Sequence, residues 1–395
     1  MKYWTGYLAA ALFAALTWIL NYFGKTYSQI VDMLWPYVTR TFQGILADWT
    51  TPLNFVLWQT LAVVAVILLL ASIVLMIIFR WNFIRWLGWV LAGCSAVFCL
   101  HTAFYGINYH IGELTEDVRM DMTLYTEKEL ESAAIYYRDQ ANALANHLPR
   151  DKDGNLVYPS FEILAGYCGD GFEILTYEKN FPVFAGSTQP VKKLGWADMY
   201  TSMGITGITI ALTGEAAVNP QTPVMALPFT MCHEMAHRMS IAREDDANFA
   251  AYLACEANDN IYIRYSGYFM AYRYCINALY SADSNAASRV GVDVNDYLKH
   301  DLKAYTDHYN THRNETAQNI ANTANDTYLK VSGDEDGTAS YGKVCDQLVN
   351  WYLNNYATKD ELNDLIPEFD PFDEDQVDLS DLPGYSGTAP TTGEE

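Results

Sequence analysis

The sequence predicts a mainly α-helical chain in two parts: three N-terminal transmembrane helices, then an α+β soluble domain with a small sheet. Three observations carry this. Apolar runs at residues 3–23, 55–79 and 86–105 each approach or exceed the roughly 20 residues that span a bilayer. The charge is uneven: the first 110 residues are apolar and slightly basic, and nearly all the acid behind a net charge of −23 lies beyond them. In that later part apolar residues recur mostly at helical spacing, and one stretch reads as a strand.

The three runs carry aromatic residues at their ends (Tyr3, Trp4, Trp58, Trp81, Trp86, Trp89 and Tyr105), as membrane–water boundaries favour. No A-x-A site precedes Gly24-Lys25, so the first run reads as a span rather than a cleaved signal peptide. Lys2 precedes the first span, and Arg80 and Arg85 lie in the short loop between the second and third. Residues 24–52, read as a loop, hold Lys25 and Arg40 against Asp32 and Asp48. Weighting Lys and Arg places the N-terminus and the Arg80/Arg85 loop inside, and everything beyond the third span outside. His101 falls near the outer end of that span, where a neutral, hydrogen-bonded imidazole is expected.

In the soluble part, residues 106–358, Thr126 to His147 reads as a helix. Thr126 caps it, and Leu130, Ala133, Ala134, Tyr137, Ala141 and Leu144 form one stripe. Asp151 to Asn155 is a turn that lacks the acids of a calcium loop, and residues 182–190 are loop. Gly204 to Ala211 alternates small and β-branched residues and reads as a strand. Helices are predicted from Leu227 and from Arg243, through about Tyr280, over 294–311 and over 341–356. Asp334 to Gly337 is a turn without the closing Glu of a calcium-binding loop. From residue 359 the chain is an acidic tail, with 12 acidic and no basic residues from Asp360 on, a composition expected to be disordered.

The chemistry concentrates at His233-Glu234-Met235-Ala236-His237, an HExxH stretch. Residues i and i+4 share a helical face, so two imidazoles there converge on one metal ion. Glu234 is the candidate base for the water that zinc activates. A catalytic zinc takes a third protein ligand and leaves a position open. Glu244, in the first turn of the next helix, is placed to supply it. Asp246 is the rival, pointing about 200° around the helix from Glu244. Asn248, one turn later, is a candidate to orient a ligand histidine. Only six residues separate His237 from Glu244, and no Gly eases the reversal. Cys232 reads as a buried helix residue. Arg264, Tyr265, Tyr268 and His308 are candidates for stabilising a developing oxyanion.

HExxH followed by Glu244-x-x-Ala247-Asn248 resembles the gluzincin pattern. Over nearly its whole length the chain also resembles a bacterial membrane family known as domain of unknown function 3810. That likeness rests on Phe104 to Tyr109, Gly204 to Ile208, Thr213 to Ala216, the HEMAH and EDDANF segments, Arg264 to Tyr268, Tyr328 to Lys330 and Gly337 to Gly342. This chain has Asp246 where that family commonly has Glu. The resemblance implies a membrane-anchored, zincin-like protein. In the gluzincin fold the strand before the metal helix forms a sheet edge, so Gly207, Ile208 and Thr209 are expected to bind an extended substrate by strand addition.

Composition excludes some classes. A pI near 4.6 argues against a nucleic-acid partner. Arg238, Arg243, Glu244, Asp245 and Asp246 leave no apolar span around the motif, which argues against intramembrane proteolysis. Seven cysteines without a CxxC pair show no disulfide framework. The expectation is a bacterial multi-pass membrane zinc metallopeptidase, catalytic domain extracytoplasmic, with peptide or protein substrates and the bilayer as partners. Its alternative is a non-catalytic membrane protein with a structural or sensory zinc site.

Overall fold

The computed structural model describes residues 4–332 and 343–357. The Asp334 to Gly337 turn, the Gly337 to Gly342 segment and the acidic tail lie outside them. Among the described residues the chain is mainly helical with one small sheet.

Helix α1 (Thr5–Thr26) packs along α4 (Phe83–Phe104). They cross at Gly6 and Gly88, where a Cβ on Gly6 would come within 2.5 Å of the Gly88 carbonyl carbon. Helix α3 (Leu57–Ile78) buries only Gln59. These three are the helices long and apolar enough to cross a membrane. Helix α4 begins earlier than the apolar run because Asn82 caps it, its side chain accepting from Arg85 N at 3.0 Å.

Residues 24–52 are not a loop: helix α2 (Ser28–Thr50) fills most of the interval. Its pattern is inverted, which hides it from hydropathy. Ile30, Met33, Leu34, Tyr37, Ile45 and Trp49 face outward, while Thr39, Arg40, Gln43 and Ala47 are buried. Thr39 Oγ1 lies 2.6 Å from Ser240 Oγ, and Arg40 donates to the Pro182 and Val183 carbonyls at 2.8 Å. Trp35 Nε1 donates to Ala103 O at 2.7 Å, and Phe42 stacks on Phe104. Helix α2 therefore lies across the end of α4, between it and the later part of the chain.

A turn of 3-10 helix, Gly106–His110, and the short α5 (Leu114–Asp117) lead into that part. Helix α6 (Glu127–Ala145) starts with the capping box that Thr126 and Glu129 form. Helix α7 (Phe161–Tyr177) and α8 (Ala197–Ser202) follow. The sheet has the order β1-β3-β2. Strand β1 (Lys192–Lys193) runs parallel to β3 (Glu215–Val218), and β2 (Gly207–Ile210) runs antiparallel to it, Gly207 opposite Val218. The strand is shorter than the alternating stretch because Gly204 turns the chain at φ +73°. Strand β2 forms an edge of the sheet. Buried Glu215 ties β3 to α3: its carboxylate accepts from Leu57 N at 2.8 Å, Trp58 N at 2.9 Å and Lys192 Nζ at 2.8 Å.

Helices α9 (Leu227–Arg238) and α10 (Glu244–Ala257) form the centre of the core. The reversal between them uses Ser240 in place of the missing glycine, at φ +74°. Ile241 N reaches Ala236 O at 3.2 Å and Ser240 N reaches His237 O at 3.0 Å, closing a Schellman cap. Around them stand α11 (Ile261–Ala282), α12 (Ser284–Val292), α13 (Asp296–His312), α14 (Glu315–Ser332) and α15 (Val344–Asn355). Helix α11 passes closely over α10 at Gly267, where a Cβ would meet Cys255 Cβ at 2.5 Å.

Candidate metal centre

Pro228 in the first turn of α9 suits a helix start, and one face of α9 is fully packed by Met231, Cys232, Met235 and Ala236. That packing turns His233 and His237 to a common side. Their Nε2 atoms are 3.1 Å apart. Glu244, the first residue of α10, brings Oε2 to 3.4 Å from His233 Nε2 and 3.8 Å from His237 Nε2. All three corners of this triangle lie about 2.0 Å from one common point. Zinc bonds imidazole nitrogen and carboxylate oxygen at about 2.0–2.2 Å. The donor set and its spacing fit a metal ion, and the three residues form a group able to hold one.

The charge state agrees. Burial works to raise Glu244, but the two imidazoles hold its carboxyl below the usual range. Burial works to lower His237, and the adjoining Glu244 overrides it and lifts the imidazole to about 9. His237 Nδ1 lies 2.8 Å from Ile241 O and 3.1 Å from Tyr105 Oη. An Nδ1–H donated to that carbonyl leaves Nε2 free as a ligand.

Glu234 is buried beside the triad rather than within it. Thr209 Oγ1, on β2, donates to its Oε2 at 2.7 Å. Burial raises the Glu234 carboxyl, opposed by both imidazoles and by Thr209. Gly207 makes room for it: a Cβ there would stand 2.6 Å from Glu234 Cγ and Cδ. The sequence-predicted edge residues Gly207, Ile208 and Thr209 all border the same cavity as His233, Glu234, His237 and Glu244. Its volume is about 570 Å³.

The expectations for Asn248, Arg264, Tyr265, Tyr268 and His308 are corrected. Asn248 borders the cavity, but its Oδ1 accepts from Tyr274 Oη at 3.4 Å and its Nδ2 has no partner among the described residues, so it bonds neither imidazole. Asp246 points away as its helical angle requires, pairing with Arg243 and, at 2.8 Å, with Gln347. Arg264, Tyr265, Tyr268 and His308 do not border the cavity. They lie on other faces of α11 and α13: Tyr265 donates to buried Asp301, and Tyr268 donates to Glu256 at 3.3 Å. The phenols that do border it are Tyr105, Tyr109, Tyr274, Tyr305, Tyr309 and Tyr328. Local spacing carries no signal for them, since they arrive from four separate segments. Cys232 is buried, with Sγ 3.8 Å from Cys255 Sγ. His101 bonds Tyr328 Oη at 3.0 Å.

Fold and site together define a mainly helical chain with three candidate membrane helices, in which a bis-imidazole, mono-carboxylate group can hold a metal ion beside a second buried carboxylate. The chain belongs to the family described as "Protein of unknown function (DUF3810)", whose profile matches residues 32–349. No curated protein and no solved structure matches it.

Proposed function

We propose that the protein is a membrane-anchored zinc metallopeptidase of zincin-like, gluzincin type, its soluble part facing out of the cytoplasm. One observation carries the reading: His233, His237 and Glu244 aim three donor atoms at one point on the wall of a cavity that also holds Glu234 and an edge strand. Three ligands and an open side are the pattern of catalytic zinc, whereas structural zinc is closed by four. A structural or sensory zinc site needs neither a buried carboxylate beside the ligands nor a cleft, so hydrolysis is favoured over that alternative.

Zinc, when bound, supplies Lewis acidity that polarises a carbonyl and acidifies water. The chain supplies the rest. His233, His237 and Glu244 hold the ion, and the Ile241 carbonyl fixes the His237 tautomer. Glu234 takes the proton of the attacking water and passes it to the leaving amine. Its raised affinity for protons, a result of burial, suits a group that must both accept and return one. Thr209 fixes one carboxylate oxygen. The backbone of β2 holds the substrate extended by strand addition. A cavity-lining tyrosine, Tyr274 or Tyr328, donates to the oxyanion.

The test is purified Glu234→Gln protein. It is expected to keep one zinc per chain and lose cleavage of a peptide library by at least about 10²-fold. Undiminished cleavage would remove Glu234 from the reaction; a wild-type protein that binds no zinc would end the reading.

A further inference from the structure

We infer that the substrate is a membrane-anchored polypeptide, cut in the extended segment next to the bilayer. This rests on the peptidase reading and adds where its substrate comes from.

The first observation is how near the metal group lies to a candidate span. Tyr105 is the C-cap residue of α4, and its Oη is 3.1 Å from His237 Nδ1. A tyrosine side chain, one hydrogen bond and the width of an imidazole separate the end of that helix from the donor nitrogen, about 12 Å in all. Four or so extended residues cover that distance. The cavity wall reaches the helix itself, since Tyr328, which borders the cavity, bonds His101 in the last turn of α4.

The second observation is α2. A helix packed on a soluble protein normally buries its apolar stripe. Helix α2 does the reverse over more than five turns: Ile30, Met33, Leu34, Tyr37, Ile45 and Trp49 are exposed, while Thr39, Arg40 and Gln43 face the protein. The helix crosses the end of α4 through Trp35 and Phe42. It therefore lies at the depth where the span meets water, and its apolar side lies against lipid as an interfacial helix does, with Tyr37 and Trp49 suited to the boundary. Its other side holds Ser240, at the C-cap of the HExxH helix, through Thr39. The reaction centre is thus seated on the bilayer surface.

The third observation selects a polypeptide. Strand β2 forms the sheet edge along the cavity, with Gly207 opening the approach to Glu234. An extended backbone emerging from a neighbouring span pairs with that edge within a few residues of the membrane.

The experiment co-reconstitutes the full-length, zinc-loaded protein in phospholipid nanodiscs with a pool of single-span polypeptides, each carrying a randomised 30-residue flank. The same flanks as free peptides, at equal concentration, form the second arm, and Glu234→Gln protein is the control. Mass spectrometry maps each cut. Cuts are expected within about the first ten flank residues, and anchored flanks should be cut at least tenfold faster than free ones. Cuts spread evenly along the flank, or free flanks cut as fast as anchored ones, would overturn this inference and leave the peptidase reading standing. Cleavage in neither arm would overturn the peptidase reading, and this inference with it.

Discussion

Replacing Gly207 by alanine tests whether the position of Glu234 matters as the reaction requires. The added Cβ would stand 2.3 Å from Glu234 Oε1 and 2.6 Å from its Cγ and Cδ. Carbon atoms in contact settle at about 3.5–4.0 Å, so the Glu234 side chain must move by about 1 Å. It has little freedom to do so gently, because Thr209 holds Oε2 and the residue is buried. A misplacement of about 1 Å at a reacting group costs on the order of 10²-fold in rate, or about 3 kcal/mol of barrier. The ligands are untouched, and Gly207 has no positive φ that an alanine would strain. Purified Gly207→Ala should therefore keep one zinc per chain by elemental analysis and lose about 1–3 kcal/mol of stability, the usual cost of overpacking. It should lose about 10²-fold in cleavage of a peptide pool. Gly166→Ala is the control: nothing lies within 4 Å of a Cβ there, so it should be fully active and about 1 kcal/mol more stable as a helical alanine. A Gly207→Ala protein with wild-type cleavage would refute the assignment of Glu234 as base; one that loses zinc would refute the separation of base from ligands.

Three further predictions concern the frame of the site. Glu215→Ala removes the buried acceptor shared by Leu57 N, Trp58 N and Lys192. It should cost about 3–5 kcal/mol by thermal unfolding in detergent, and a loss under 1 kcal/mol would show that the tie is dispensable. Tyr105→Phe removes the contact to His237 Nδ1 while the Ile241 carbonyl remains. The zinc Kd should rise about tenfold, as loss of a supporting hydrogen bond does, with an unchanged Kd counting against that role. Asp245→Asn tests a carboxyl that burial, with Asp246 beside it, raises from 3.8 to about 6. A raised folded-state value means that the protonated form suits the fold, so stability is full below about pH 4 and falls as pH rises through 6. That rise corresponds to at most about 3 kcal/mol. The variant should gain up to that over wild type at pH 8 and nothing at pH 4; equal gains at both would refute the titration argument.

The sequence was most legible where a local period or spacing carried the message. HExxH sets two imidazoles on one face, and the turn of about 100° per residue separates Glu244 from Asp246 without any tertiary contact. The apolar runs gave α1, α3 and α4 because lipid-length helices need no tertiary information. Helix α2 was illegible for the opposite reason: its apolar stripe faces outward and its polar side is buried, and Pro36 and Gly44 interrupt the pattern. No glycine eases the reversal after His237; Ser240 adopts the left-handed conformation instead, its hydroxyl bonded to Thr39 some 200 residues earlier. Long-range partners of that kind leave no local trace. The same holds for the tyrosines. Tyr265 and Tyr268 were singled out by nearness in sequence, but α11 turns them toward Asp301 and Glu256, while Tyr274 on the same helix faces the cavity.

Beside two small apolar clusters, around Tyr105 and around Val56, several buried hydrogen bonds join the N-terminal helices to the later part of the chain. Thr39 meets Ser240, Arg40 meets two loop carbonyls, and Glu215 receives the first N–H groups of α3. An apolar interface would have held the two parts together as firmly, because burial is non-directional. Buried hydrogen bonds add little net stability but are costly to leave unmade, so they admit one arrangement and penalise its neighbours. A general peptidase on a tether has no use for such a fixed orientation. A reaction centre whose height above the bilayer selects its substrate does. On the proposed reading, the polar joint and the outward apolar face of α2 would together fix the distance between lipid and the metal group.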